Sequence, residues 1–176
     1  EKRLAMIAPR KIRFEAAKKE KENLHFRIFL KCNADSEELD RQFHKLHQEL
    51  FSSYDCSRCR NCCKMYRGIL PEDDLEHDAA CLGLSKESMI EKYLIKIEDE
   101  EGKYEAKNIP CDFMNPDGSC KLGECKPENC RLFPYTDQPD RLASLYGVLE
   151  VIQVCPVAFE IYERLKEIYG WKYKRR

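Results

Sequence analysis

The chain has 176 residues, with 31 basic and 32 acidic side chains and a formal net charge of -1. That balance excludes a global electrostatic argument for nucleic acid or for an anionic membrane surface. With no apolar run of spanning length and no signal-peptide pattern, the chain reads as cytosolic, where eleven cysteines point to metal ligation or buried thiols and away from disulfides.

Residues 1–35 read as an N-terminal appendage, helical or extended. Pro9 starts or interrupts a helix there. Leu24, Phe26, Ile28 and Leu30 alternate as a strand would, while Leu24, Ile28 and Phe29 fit one helical face. The helix formers over 15–22 favour helix. Residues 36–170 are expected to form the cysteine-cluster domain. Asp35 or Ser36 caps a helix whose positive end suits Glu37, Glu38 and Asp40. Its stripe is Leu39, Phe43, Leu46 and Leu50, and it should end near Ser52.

Residues 70–75 read as another helix start, stopped by Gly83. Ser85 caps the next helix, which carries Met89, Ile90, Tyr93 and Leu94. After Gly102, Tyr104 and Ile109 flank a polar stretch consistent with a short hairpin, and residues 115–118 form a turn. Pro127 opens a short helix with Cys130 near its end. The closing helix starts at Pro156 and turns Phe159, Ile161, Tyr162, Leu165, Ile168 and Tyr169 inward. Residues 171–176 are a basic, aromatic tail, read as a frayed end rather than a binding element for nucleic acid or an acidic groove. The predicted fold is mainly α, with a small α+β component possible: an irregular helical domain stapled by cysteine-ligated metal centres.

Four thiols crowd into eight residues at Cys56, Cys59, Cys62 and Cys63. Adjacent Cys62 and Cys63 pair poorly with each other, yet either can ligate. Thiolates are soft ligands suited to zinc or iron–sulfur clusters. The Cys56-x2-Cys59-x2-Cys62 triplet matches the bacterial ferredoxin opening, and Cys155-Pro156 offers a remote cysteine before proline. Cys111, Cys120, Cys125 and Cys130 form a second group, complete in itself or mixed with Cys63 and Cys155. The expected cofactor is one or two iron–sulfur clusters of the 4Fe-4S type, with Zn2+ as the alternative; the partition of ligands stays open.

Cys32 and Cys81 lie outside these groups and read as buried thiols. The histidines, His25, His44, His47 and His77, read as ordinary residues not arranged with the cysteines. Arg58, Arg60, Lys64 and Arg67 either lower thiol pKa values or face solvent. Arg131 follows a candidate ligand and is expected to brace its loop. No Ser-His-Asp or P-loop pattern is present, and no catalytic residue is assigned.

These motifs resemble the zinc- or iron-chelating domain family of cysteine-cluster proteins. The opening matches at Cys56, Cys59, Cys62 and Cys63. The later segment matches at Cys111, Gly118, Cys120, Lys126-Pro127 and Cys130-Arg131-Leu132-Phe133-Pro134. Residues 70–94, with Asp74 and Gly83, are similar to the family's middle. Lys126 stands where the family commonly has arginine, and Cys125 is an extra thiol. The family includes a flagellin lysine methylase, but methyltransfer is not carried over, since no glycine-rich nucleotide site follows a strand here. The function expected is a metal-binding protein acting as a redox or accessory module, with a protein partner in a redox or modification assembly. The alternatives are a zinc-stabilised interaction protein and a cluster-dependent protein-modifying enzyme.

Overall fold

The computed structural model describes residues 6–174, so residues 1–5 of the appendage and Arg175 and Arg176 of the tail lie outside the described residues. In chain order the helices and strands are α1 (Ile12–Lys18), α2 (Glu20–Asn33), α3 (Ser36–Phe51), α4 (Cys56–Cys59), α5 (Asn61–Met65), β1 (Ile69–Pro71), α6 (Leu75–Cys81), α7 (Lys86–Tyr93), β2 (Leu94–Lys96), β3 (Lys103–Ala106), α8 (Glu128–Leu132), α9 (Leu145–Val151) and α10 (Pro156–Ile168). The fold is mainly α with one small antiparallel sheet, as the sequence predicts. The chain divides into two units, residues 1–55 with 134–176, and residues 56–133.

The first unit is built on long amphipathic helices. The ambiguous segment at 24–30 is helical within α2, which buries Asn23, Phe26 and Leu30 at helical spacing. The Asp35 carboxylate accepts from the Glu38 N–H at 2.9 Å and caps α3. Leu39, Phe43, Leu46 and Leu50 all face inward, as the stripe requires. α10 begins at Pro156 and packs on α3, burying Val157, Ala158, Phe159, Ile161, Tyr162 and Leu165. Ile168 was expected inside but is 52% exposed. The stripe runs from Tyr162 through Leu165 to position 169, so Tyr169 turns in and its ring meets Phe29 at 6.0 Å.

Polar contacts tie the same helices together. Lys166, 5% exposed, donates to Glu22 Oε1 at 2.8 Å, Asn23 Oδ1 at 2.6 Å and Glu163 Oε1 at 2.6 Å. Lys19 pairs with Glu163 as well. Asp40 accepts from the backbone N–H groups of Asp140 and Arg141, both at 2.8 Å, holding the approach to α9. The tail is not frayed through its described part: Trp171 packs on Phe26 with ring centroids 5.1 Å apart, and Tyr173 meets His25 at 5.3 Å. Aromatic area buried on α2 outweighs the entropy of a free end.

The second unit has short elements around a small core of Leu70, Leu75, Ala79, Met89, Leu94, Ala106, Phe113 and Leu122. The strand order is β1-β3-β2. A hairpin forms, but across Gly102 and not between Tyr104 and Ile109: β2 pairs with β3, Leu94 opposite Ala106 and Lys96 opposite Tyr104, and Ile109 lies outside the strands, 48% exposed. Two boundaries differ from the sequence reading. Residues 69–71 pair with β3 as an edge strand instead of starting a helix, and α6 begins only at Leu75 after a 3-10 turn. Pro71 is extended, and its missing N–H is harmless on a sheet edge. Leu94 leaves α7 for β2.

Cys32 and Cys81, expected buried, are both exposed. Each lies two residues beyond a buried position, Leu30 on α2 and Ala79 on α6. Two helical steps turn about 200°, which carries each thiol to the opposite face.

Candidate metal centre

The cysteine-rich loop is two short helices joined by a reversal. The Arg60 N–H donates to Cys56 O at 2.9 Å, closing α4, and Arg60 takes a left-handed conformation at φ 58°. α5 then follows, so Cys56 and Cys59 sit on one turn and Cys62 and Cys63 on the next. Cys59 is buried, Cys62 and Cys63 are half-buried, and Cys56 is exposed.

The segment 111–120 is fastened to this loop. The Cys111 N–H donates to Cys63 O at 2.7 Å. Arg60 Nη1 donates to Pro116 O at 2.8 Å. Gly118, at φ 91°, presses so close that a Cβ there would fall 2.1 Å from Ser57 O. Only glycine permits both that conformation and that approach. A bridge between Met114 and Cys120, with Lys121 N–H donating to Phe113 O at 2.7 Å, closes the Cys111 to Cys120 turn. Cys130 comes from α8, entered at extended Pro127.

Cys63, Cys111, Cys120 and Cys130 share one electrostatic environment. The Cys63 thiol is pushed well up by its hydrogen bond with Cys62, then by burial and the Cys62 charge, against the pull of Lys126 and Arg60. Burial pushes Cys130 up to about 11; Lys126 opposes this, while Cys111, Cys63 and Cys120 add to it. Burial also raises Cys111, with Cys63 and Cys120 adding, although the backbone N–H groups of Phe113 and Gly68 hydrogen-bond to its sulfur. Gly68 lies between two of these cysteines, since a Cβ there would stand 3.5 Å from Cys130 Sγ. Thiols held protonated in this way must exchange protons for any metal they bind.

The donor set fits a thiophilic metal. It is sulfur-rich, half-buried, supplied with N–H donors and flanked by Arg60 and Lys126. Zinc and iron–sulfur clusters use such ligands; oxygen-seeking magnesium and calcium do not. The other cations that the sequence singled out do different things. Lys64 donates to Cys59 O at 3.4 Å, Arg67 pairs with Glu105 at 2.9 Å, and Arg58 is exposed. Arg131 is exposed on α8, its backbone N–H donating to Pro127 O at 2.9 Å.

Two expected ligands make other contacts as well. Cys155 lies in the first unit, buried, with Sγ accepting from Ala158 N–H at 3.5 Å at the start of α10. Cys125, from a 3-10 turn at Gly123–Cys125, is joined to Cys81 as a disulfide, with Cα atoms 6.6 Å apart. His77 Nε2 stands 3.3 Å from Cys125 Sγ. The ligand atoms of His77, Cys81 and Cys125 all lie within 4.8 Å of one another. His77 is therefore arranged with cysteines, contrary to the sequence reading. The legible signal was its spacing: His77 and Cys81 stand four residues apart on one helix, hence on one face.

A family model, CxxCxxCC, described as "Putative zinc- or iron-chelating domain", matches residues 55–156, more than half of the chain. No curated protein and no solved structure matches.

Proposed function

The chain belongs to that zinc- or iron-chelating family, and from this premise we propose that residues 56–133 carry an iron–sulfur cluster of the 4Fe-4S type held by Cys63, Cys111, Cys120 and Cys130. Cys56, Cys59 and Cys62 on the adjoining turns supply thiols for a second centre. The observation that carries the reading is how these segments are fastened: Cys111 N–H donates to Cys63 O at 2.7 Å, the Gly68 and Phe113 N–H groups meet the Cys111 sulfur, a Cβ at Gly68 would stand 3.5 Å from Cys130 Sγ, and the Met114–Cys120 bridge closes the turn. Hydrogen bonds to cluster sulfurs and nearby positive charge both stabilise the reduced, more negative state. Lys126 and Arg60 supply the charge.

When bound, such a cluster supplies one-electron transfer. The chain's own residues hold it, exclude part of the solvent and offset its charge. This suits a redox or accessory module that exchanges electrons with a protein partner in a reducing cytosol.

The test is anaerobic purification followed by iron, zinc and acid-labile sulfide per chain. Iron and sulfide in matching amounts, both lost in Cys63→Ser, are expected. Zinc without sulfide would replace the redox module with a zinc-stabilised interaction protein. Unchanged metal in Cys63→Ser would overturn the ligand assignment.

A further inference from the structure

We propose that His77, Cys81 and Cys125 form a further donor set that binds one Zn2+ ion, separate from the thiols assigned to the cluster and to the centre at Cys56, Cys59 and Cys62. His77 and Cys81 project from one face of α6, four residues apart, and Cys125 meets them from the Gly123–Cys125 turn. The three ligand atoms lie within 4.8 Å of one another. A disulfide needs only the two sulfurs. The imidazole nitrogen 3.3 Å from Cys125 Sγ is the part that a disulfide leaves unexplained. In a tetrahedral zinc site, sulfur and nitrogen ligands at ordinary bond lengths stand about 3.6 Å apart. The His77 to Cys125 spacing is already close to that, whereas the two bonded sulfurs must be reduced and part before the ion can enter.

Two thiolates and one imidazole form a donor set that zinc commonly takes. α6 packs against the turn that carries Cys125, so the ligands come from two fixed elements. Cys125 is buried while His77 and Cys81 are exposed. The ion would therefore sit at the edge of this unit, anchored from inside, with its fourth position open to water. Binding requires both sulfurs reduced; the disulfide and the zinc site are alternative states of the same pair.

The exposed pair makes the test clean, because replacing His77 and Cys81 leaves the buried Cys125 in the core. The full chain is loaded with zinc under a phosphine reductant, desalted and analysed for zinc, iron and sulfide. Wild type should hold one more zinc per chain than the His77→Gln/Cys81→Ser double variant, with iron and sulfide equal in the two. His77→Cys, which replaces one zinc ligand by another, should restore binding that His77→Gln abolishes. A steric role for His77 would not give that rescue. Equal zinc in wild type and the double variant would overturn the proposal. So would a Cys81–Cys125 disulfide that persists under reductant by alkylation and mass analysis.

Discussion

The two units of this chain are held by different physics. Residues 1–55 with 134–176 rely on long helices whose apolar stripes interlock, and on a buried lysine satisfied by three oxygens. Residues 56–133 have helices of at most eight residues, a three-stranded sheet of minimal length and a small core. Helices that short gain little from their own hydrogen bonds. Nine of the eleven cysteines fall in this second unit. In the proposed metal-bound state, thiolate cross-links take over the role of a core where apolar area is scarce, as in small metal-stabilised domains.

The strongest way to break the comparison is to remove the metal. Chelation of the loaded chain should destabilise residues 56–133 by roughly 5 kcal/mol or more, since site formation and folding are coupled. Hydrogen exchange should show protection lost chiefly between 56 and 133. Equal loss in α2, α3 and α10 would mean that the division of labour is wrong. The reciprocal change is Lys166→Met, which removes the buried donor shared by Glu22, Asn23 and Glu163 and leaves the two carboxylates to Lys19. The cost should be about 3 kcal/mol, at the low end for breaking a buried pair because both carboxylates keep some water. Urea midpoints would measure it, and metal content should not change.

Gly118→Ala sharpens the comparison inside the second unit. The new Cβ would meet Ser57 O in a conformation that disfavours side chains. A loss of about 2 kcal/mol is expected. Because the clash pushes on the loop that carries Cys56 and Cys59, metal loading should fall with it. A variant as stable and as well loaded as wild type would remove Gly118 from the account.

The same contrast explains what could be read from the sequence. α3 and α10 were legible because their caps and stripes repeat over several turns: Asp35, Leu39, Phe43, Leu46 and Leu50 state one helix many times. The strand at Ile69–Pro71 was not legible, because three residues carry no period and Pro71 suits a helix start equally well. Its pairing with Lys103–Ala106 is a long-range contact. The cysteines announced thiolate chemistry by density alone, but spacing could not sort them. Cys125 sits five residues from both Cys120 and Cys130, yet the 3-10 turn at Gly123–Cys125 aims its sulfur at α6. That direction depends on how the turn packs, which the spacing does not encode.

The smallest expected effect lies in the first unit and concerns pH. His47 is half-buried on α3, with Nδ1 2.8 Å from Thr136 Oγ1 and its ring 4.5 Å from that of Phe51. Burial lowers its pKa below the ordinary 6.5, and His44 adds to this, while Asp137, 3.7 Å away, opposes it. The neutral ring is thus favoured in the folded chain, and the unfolded chain takes up a proton first as pH falls. By linkage, the stability from neutral His47 is fully present above pH 6.5 and is lost as pH drops through that value toward the lower folded pKa. Urea midpoints from pH 8 to pH 5 should therefore fall more steeply in wild type than in His47→Gln, which keeps a polar partner for Thr136 but cannot titrate. Parallel curves would show that the Asp137 charge cancels the burial of the ring, and that this unit's stability owes nothing to the protonation of its one half-buried helix-face histidine.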